Sequence, residues 1–127
     1  MLDHITFGVA DFDGALAFYD QALAPLGIKR LMGVTEEESG GARFAGYGDS
    51  RPFFWIGAGE PSKGALHIAL TAPDRTTVDA FHKAALSAGG TDNGAPGIRA
   101  HYHPTYYGAF VLDPEGRNIE VVCHAPE

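Results

Sequence analysis

Two stretches of alternating polar and apolar residues, each followed by a helical repeat, start the two halves of the chain. HITFGV (4–9) and HIALTA (67–72) alternate with a period of two, which predicts two strands. After each strand, apolar residues return every three or four positions, which predicts a helix. The first helical stripe consists of Ala15, Phe18, Tyr19, Ala22, Leu23 and Leu26, and the second consists of Val78, Phe81, Ala85 and Leu86. Gly27 and the pair Gly89-Gly90 are predicted to end these helices, and Asp11 or Asp13, and Asp74, to cap them.

Three shorter apolar runs follow each helix and predict further strands. In the first half they are IKRLMGV, ARFAGY and FFWIG, and in the second half IRAHY, YGAFVL and NIEVVC. The turn DPEG joins the last two runs. Each half is therefore predicted to be a β-α-β-β-β module. TEEESGG (35–41) is expected to be a mobile loop, and EPSKG (60–64) a linker.

The two halves are related by an internal repeat. Shifting the sequence by 63 positions (67 minus 4) aligns residues 3–27 with residues 66–90 without a gap. In this alignment His4 matches His67 and Phe18 matches Phe81. We therefore expect an α+β protein formed by internal duplication, with the helices outside the sheets. One domain over 1–127 would contain module one at about 1–59, the linker at about 60–64 and module two at about 65–124.

Strand alternation places His4, His67 and Glu120 on the sheet faces that point away from the helices. A buried carboxylate is unfavourable without a partner, and two imidazoles with one carboxylate are a common ligand set for a divalent metal ion. Three protein ligands also leave coordination positions open for a substrate. The alternative is that each histidine is a hydrogen-bonded core residue. The matching positions of the two histidines, with Glu120 on the same face, favour the metal site.

Composition limits the classes of partner. The formal net charge is −7 and no basic cluster occurs, which argues against nucleic acids and anionic membranes and favours a small-molecule ligand. No apolar run approaches the length of a membrane span. The one cysteine, Cys123, excludes an internal disulfide and lies on the helix-facing side of its strand, so we expect an inert thiol in a cytoplasmic protein.

The segment GIRAHYHPTYYGAF concentrates candidate substrate-binding and proton-transfer groups. Tyr107, His101 or His103 could transfer protons, and Arg99 could hold an anionic group. The alternative is that the histidines are solvated loop residues and the tyrosines ordinary strand residues. The remaining candidates for contact with a substrate are Thr6, Phe54, Trp55 and Tyr106.

The motifs DHITFGVADFDGALAFY, ALHIAL and above all YYGAFVLDPEGRNIEVV resemble the vicinal oxygen chelate superfamily. That superfamily includes glyoxalase I, extradiol dioxygenases, and fosfomycin- and bleomycin-resistance proteins. The resemblance covers essentially the whole chain. It implies paired modules whose strands curve into a cup around a metal ion, with His4, His67 and Glu120 as ligands. It also implies a homodimer.

Two functions are compatible with this resemblance. In the first, Fe, Mn, Ni or Zn chelates oxygens of a small substrate and stabilises an enolate or alkoxide, in a lyase or isomerase, dioxygenase or thiol transferase reaction. Glyoxalase I has a fourth ligand, a glutamate in module one, whereas aligning RPFFWIG with RNIEVVC puts Phe54 opposite Glu120. The alternative is a metal-free binding protein of the bleomycin-resistance type, with aromatic surface from Phe53, Phe54, Trp55, Tyr106 and Tyr107.

Overall fold

Two four-stranded sheets, one from each half of the chain, form the framework of the protein. The computed structural model describes residues 1–126. The first sheet has the order β1-β4-β3-β2, and its strands are β1 (Ile5–Val9), β2 (Lys29–Val34), β3 (Phe44–Gly48) and β4 (Pro52–Ala58). The second has the matching order β5-β8-β7-β6, and its strands are β5 (His67–Thr71), β6 (Thr91–Ile98), β7 (Tyr107–Leu112) and β8 (Asn118–Cys123). The matching order confirms the duplicated α+β fold, and neither sheet closes into a barrel.

The helices begin where the capping residues predict. In α1 (Phe12–Ala22), the Asp11 side chain accepts a hydrogen bond from the backbone of Gly14, and in α3 (Arg75–Ser87) Asp74 caps in the same way. A 3₁₀ turn follows α1 and ends at Gly27, whose φ of 75° is left-handed. Within residues 1–126, no helix is both long and apolar enough to span a membrane.

Two of the predicted local structures are wrong. The expected mobile loop at 35–41 contains the short helix α2 (Glu36–Ser39), because Thr35 and Glu38 cap each other through side chain and backbone. The expected strand IRAHY is a turn, in which the backbone of Arg99 bonds to Tyr106, and the strand lies earlier, at β6. Glycine and proline in TDNGAPGI interrupt the alternation of polar and apolar residues by which a strand is predicted. The same segment has two register shifts against β7.

The core lies between the helices and one face of each sheet. Phe54 and Tyr19 are fully buried, with ring centroids 5.1 Å apart, and Phe7 meets Phe54 edge to face at 5.5 Å. Cys123 is also fully buried, as its position in β8 predicts. Because this face is filled with apolar side chains, the polar residues of the same strands lie on the opposite faces, which we call the inner faces.

The turn between β7 and β8 fastens the second module to the first. The Arg117 guanidinium donates to the backbone carbonyl of Gly8 at 2.7 Å and to Asp113 at 3.3 Å. The Tyr19 hydroxyl on α1 donates to the same Asp113 carboxylate at 2.6 Å. Asp113 and Arg117 are both buried, and we call this cluster of Tyr19, Asp113 and Arg117, which links the two modules, the clasp.

Candidate functional site

Glu120 is a carboxylate buried on the inner face of the second sheet. It pairs with Ala69 of β5 and with Phe110 of β7, and only 2% of its side chain is exposed. Its strand neighbours Ile119 and Val121 are buried in the core on the other side. The alternation of NIEVVC therefore positions the carboxylate as predicted, and the packing around it removes it from water.

Each oxygen of Glu120 has a protein partner. His67 Nε2 lies 2.9 Å from Oε1, and the Tyr106 hydroxyl donates to Oε2. Gly108 leaves room for this contact, since a Cβ there would lie 3.3 Å from both Glu120 Oε2 and the Tyr106 ring. Burial of the phenol, followed by its hydrogen bond to Glu120 and the charge of that carboxylate, raises the pKa of Tyr106 to about 12. Tyr106 is therefore protonated at neutral pH.

His67 and Glu120 are placed like two neighbouring ligands of a metal ion. Two donor atoms that are each about 2.1 Å from an ion lie about 3.0 Å apart at the right angles of an octahedral site, and about 3.4 Å apart at the tetrahedral angle of zinc. The observed separation of 2.9 Å between Nε2 and Oε1 matches the first of these values. His67 is 48% exposed, so its ring remains accessible from the inner face. The pair forms an ordinary hydrogen bond here, and the same spacing suits two neighbouring ligands of an octahedral ion.

His4 has a carboxylate partner of its own, before the start of β1. Its Nδ1 lies 2.6 Å from Asp3 Oδ1, and the other oxygen of Asp3 accepts a hydrogen bond from Arg51 at 3.1 Å. The bond to His4, together with the charge of Arg51, holds the pKa of Asp3 below its usual range. A carboxylate on Nδ1 leaves Nε2 with its lone pair, which is the usual arrangement of metal-binding histidines.

A cavity of about 600 Å³ between the edges of β1 and β5 is lined by both His4 and His67. Its volume is typical of a small-molecule site. Within residues 1–126, however, no three His, Cys, Asp or Glu side chains are grouped so that they could hold a metal ion. The structure thus joins two of the three predicted ligands, His67 and Glu120, and places His4 on the same cavity without bringing it to that pair. The other walls are mostly apolar and include Leu2, Ile5, Phe53, Ile68 and Leu70.

The tyrosine beside the carboxylate is Tyr106, and the favoured candidate Tyr107 lies on the other face of β7. The Tyr107 hydroxyl donates to Asp79 of α3 at 2.6 Å, and this bond raises its pKa. The reason is strand parity. Phe110 pairs with Glu120, so every second residue from Phe110 shares the inner face, and Tyr107 does not.

The two predicted loop histidines lie in the exposed turn at 99–106 and do not contact Glu120. His101 packs on Tyr102 with ring centroids 4.1 Å apart, and Tyr102 packs in turn on Tyr106 at 5.0 Å. His103 accepts a hydrogen bond from the backbone of Thr105 at 3.2 Å. The sequence reasoning overlooked Tyr102 and also Phe110, although the pairing of Phe110 with Glu120 follows from adjacent strands.

The counterpart of Glu120 in the first sheet is Trp55, which corrects the alignment with Phe54. Trp55 pairs with Thr6 as Glu120 pairs with Ala69, while Phe54 pairs with Ile5 and is fully buried in the core. The absence of a carboxylate at this position holds. Phe54 is fully buried in the core but also lines the 600 Å³ cavity with His4 and His67, so its contact with a substrate stays a prediction. Trp55 and Thr6 instead line a second cavity of about 430 Å³, which His4 also borders.

Arg99, the predicted anion ligand, lies at the far side of the inner face of the second sheet. Its guanidinium donates to the carbonyls of Ala95 and Gly97, each at 2.8 Å, and its Cζ atom lies 5.3 Å from the centre of the Phe110 ring. Phe110 is in turn 6.1 Å from the His67 ring. Arg99, Phe110, His67, Glu120 and Tyr106 therefore form one continuous inner surface.

Solved structures of similar fold cover almost the whole chain. A glyoxalase/bleomycin resistance protein from Albidiferax ferrireducens is 27% identical, with a TM-score of 0.71, and the match covers 97% of this chain and 98% of that one. A glyoxalase/bleomycin resistance protein/dioxygenase family enzyme from Burkholderia phytofirmans is 20% identical, with a TM-score of 0.71 and coverage of 97% and 98%. A glyoxalase I mutant from Zea mays is 20% identical, with a TM-score of 0.71, over 95% of this chain and 44% of its own.

No protein with a curated description matches the chain. The family match is extensive: residues 1–121 fit the Glyoxalase/Bleomycin resistance protein/Dioxygenase superfamily. That range includes module one, nearly all of module two, the clasp and all three predicted metal ligands. The chain therefore belongs to the glyoxalase/bleomycin resistance protein/dioxygenase superfamily.

Proposed function

We propose that His4, His67 and Glu120 hold a divalent metal ion, Fe, Mn, Ni or Zn, beside which a small substrate is bound and converted. The observation that carries this proposal is the 2.9 Å separation of His67 Nε2 and Glu120 Oε1 on an accessible inner face. The Asp3 carboxylate on Nδ1 of His4 supports the third ligand, because it orients that ring as in other metal sites. When bound, such an ion stabilises negative charge on substrate oxygens or offers a position for dioxygen.

Residues of the chain itself would donate a proton or hydrogen bond to the substrate and would line its site with apolar side chains. Tyr106 keeps its proton at neutral pH and holds it against Glu120 Oε2, so its hydroxyl is a donor for a substrate oxygen that displaces this bond. The 600 Å³ cavity beside His67 has mostly apolar walls, which suit an apolar substituent of the ligand next to the inner face. Trp55 takes the place in the first sheet that Glu120 takes in the second, so the fourth carboxylate that a resemblance to glyoxalase I implies is missing. This favours a lyase or isomerase with different proton transfer, a dioxygenase or a thiol transferase over ordinary glyoxalase I chemistry.

The same proposal includes a cytoplasmic homodimer. Two large apolar side chains of the edge strand β2, Leu31 and Met32, are 40% and 46% exposed. Exposed apolar residues on an edge strand favour association, since the edge also presents unpaired backbone groups. The partner that we propose is a second copy of this chain, which presents the same apolar edge strand.

The test is the metal content of untagged protein after exposure to Fe(II), Mn(II), Ni(II) and Zn(II) in turn, measured by mass spectrometry. We expect about one ion per chain in the wild type, and loss of that ion in His4→Ala, His67→Ala and Glu120→Ala. The matched control is His82→Ala, because His82 bonds to Asp92 at 3.0 Å between α3 and β6, outside the inner face. A wild type that remains empty with all four metals would contradict the proposal.

A metal-free binding protein is the second candidate, and one observation favours it. Both oxygens of Glu120 already have partners, His67 and Tyr106, so the buried carboxylate is satisfied without an ion. The aromatic inner faces would then hold a planar ligand. Trp55, the one tryptophan of the chain, lines the 430 Å³ cavity, and quenching of its fluorescence by aromatic compounds in metal-free protein would identify such binding.

A further inference from the structure

We infer that Arg99 binds a carboxylate group of the ligand, so that the inner face of the second sheet accepts small acids. The inference rests on the proposed function in one respect, because it takes the surface beside Glu120 as the place where the ligand lies. It does not depend on which ion is bound there or on the reaction.

The backbone of β6 is shaped around the Arg99 guanidinium. Nη2 donates to Ala95 and Nη1 to Gly97. A Cβ at Gly94 would lie 3.0 Å from Nη2 and 2.9 Å from the Phe110 ring, and a Cβ at Gly97 would lie 3.2 Å from Nη1. Gly94 also has a φ of 149°, which other residues rarely adopt. Two glycines and two carbonyls therefore fix the guanidinium against the sheet.

Arg99 forms no ion pair with an aspartate or glutamate in the described part of the chain. Four other arginines each bond to an aspartate or glutamate, namely Arg30, Arg43, Arg51 and Arg117. Arg99 is half-buried and bonds only to carbonyls, and an arginine has five N–H donors, so about three remain for a ligand. A planar fork of donors fits a carboxylate with two parallel hydrogen bonds.

The position of Arg99 limits the size and shape of the ligand. Glu120, Phe110 and Gly94 lie side by side across β8, β7 and β6. Two strand spacings of about 4.8 Å separate the first from the last, so Arg99, packed against Gly94, lies roughly 10 Å from the Glu120 backbone. A molecule of about one ring fits this span. Its oxygen-bearing end would lie at His67 and Glu120, its apolar body on Phe110, and its carboxylate at Arg99.

A carboxylate fits better than a phosphate. β5, β6, β7 and β8 contain no lysine or arginine, so Arg99 is a single positive charge at this face, on a protein of net charge −7. A doubly charged phosphate group commonly needs several cationic or helix N-terminal partners. One guanidinium beside an aromatic ring instead matches a singly charged, planar acid.

The experiment compares benzoate with the neutral benzamide in metal-free protein at constant ionic strength, followed by ¹⁵N–¹H correlation spectra. We expect benzoate to shift the Arg99 Nε–H signal and the amide signals of Gly94 and Phe110, and to bind about tenfold more tightly than benzamide. Arg99→Met should raise the Kd for benzoate about tenfold or more, and Arg99→Lys should lie between that variant and the wild type.

The matched control is Arg75→Met, because the Arg75 guanidinium also lies over an aromatic ring of β7, that of Tyr107 at 4.9 Å, but on the helix side. Its Kd for benzoate should equal that of the wild type. Equal binding of benzoate and benzamide by the wild type would overturn the inference, even if Arg99→Met failed to fold. So would an unchanged Kd in folded Arg99→Met. Benzoate binding that needs Arg99 in a protein that takes up no metal would leave the inference standing and the metal proposal refuted.

Discussion

Replacing Arg117 with methionine is expected to be among the most destabilising single changes in this protein. The guanidinium is 6% exposed and holds the two modules together through Gly8 and Asp113. Methionine has a similar length and fills much of the same space, so the variant removes charge and hydrogen bonds with little loss of volume. Asp113, which is 3% exposed, would then remain buried without its cationic partner.

The expected loss lies at the lower end of the range for breaking a buried ion pair, which is about 3–5 kcal/mol. Asp113 keeps three other hydrogen bonds, from the Tyr19 hydroxyl and from the backbone N–H groups of Glu115 and Arg117. Those bonds continue to stabilise the carboxylate, so we expect about 3 kcal/mol. With an unfolding entropy of about 2.1 cal/mol/K per residue, a chain of this length should lose about 11 °C in Tm.

Urea unfolding followed by circular dichroism measures this loss directly. In the double variant Arg117→Met/Asp113→Asn, the carboxylate that lost its partner is gone, so the combined loss should be smaller than the sum of the two single losses by about 1–2 kcal/mol. The matched control is Arg43→Met, since the ion pair of Arg43 with Asp13 is exposed and should contribute less than about 1 kcal/mol. Arg117→Met losing as little as the control, or strict additivity in the double variant, would refute the assignment.

Two predictions concern the tyrosines of β7 and the turn before it. Tyr106→Phe removes the donor to Glu120 Oε2 and should weaken metal binding about 10–100-fold, as measured by competition with a fluorescent chelator. The control Tyr107→Phe should leave metal binding unchanged, because Tyr107 bonds to Asp79 instead. Equal effects of the two variants would contradict the proposed site. Because folding raises the pKa of Tyr106 from 10.0 to about 12, the folded state keeps a proton that the unfolded chain loses, so the free energy of unfolding should fall between pH 10 and 12. Urea unfolding at each pH should show a smaller fall in Tyr106→Phe; an identical fall would rule out this cause.

The strands that the sequence predicts well are those with strong alternation. YGAFVL and NIEVVC coincide with β7 and β8, since apolar residues at every second position have one way to face the core. β6 was missed because its two glycines and one proline remove that pattern. Its register shifts lie at the glycines that the Arg99 guanidinium approaches, a contact that local alternation does not contain.

The site shows the same division between local and tertiary information. Parity within a strand is local, so the shared inner face of His67 and Glu120 follows from the sequence. The equivalence of Trp55 with Glu120 needs the register of β4 against β1, which differs by one residue from the simple alignment. The position of His4 relative to His67 and Glu120 depends on the distance between the two sheets, whose edges do not pair. The clasp and the linker, whose Ser62 accepts a hydrogen bond from the Gly8 N–H, contribute to that separation beside the packing of α1 on α3, and neither polar contact leaves a periodic trace in the sequence. A repeat can therefore identify matching residues in the two modules. The distance between those residues depends on contacts between the modules, which the repeat does not contain.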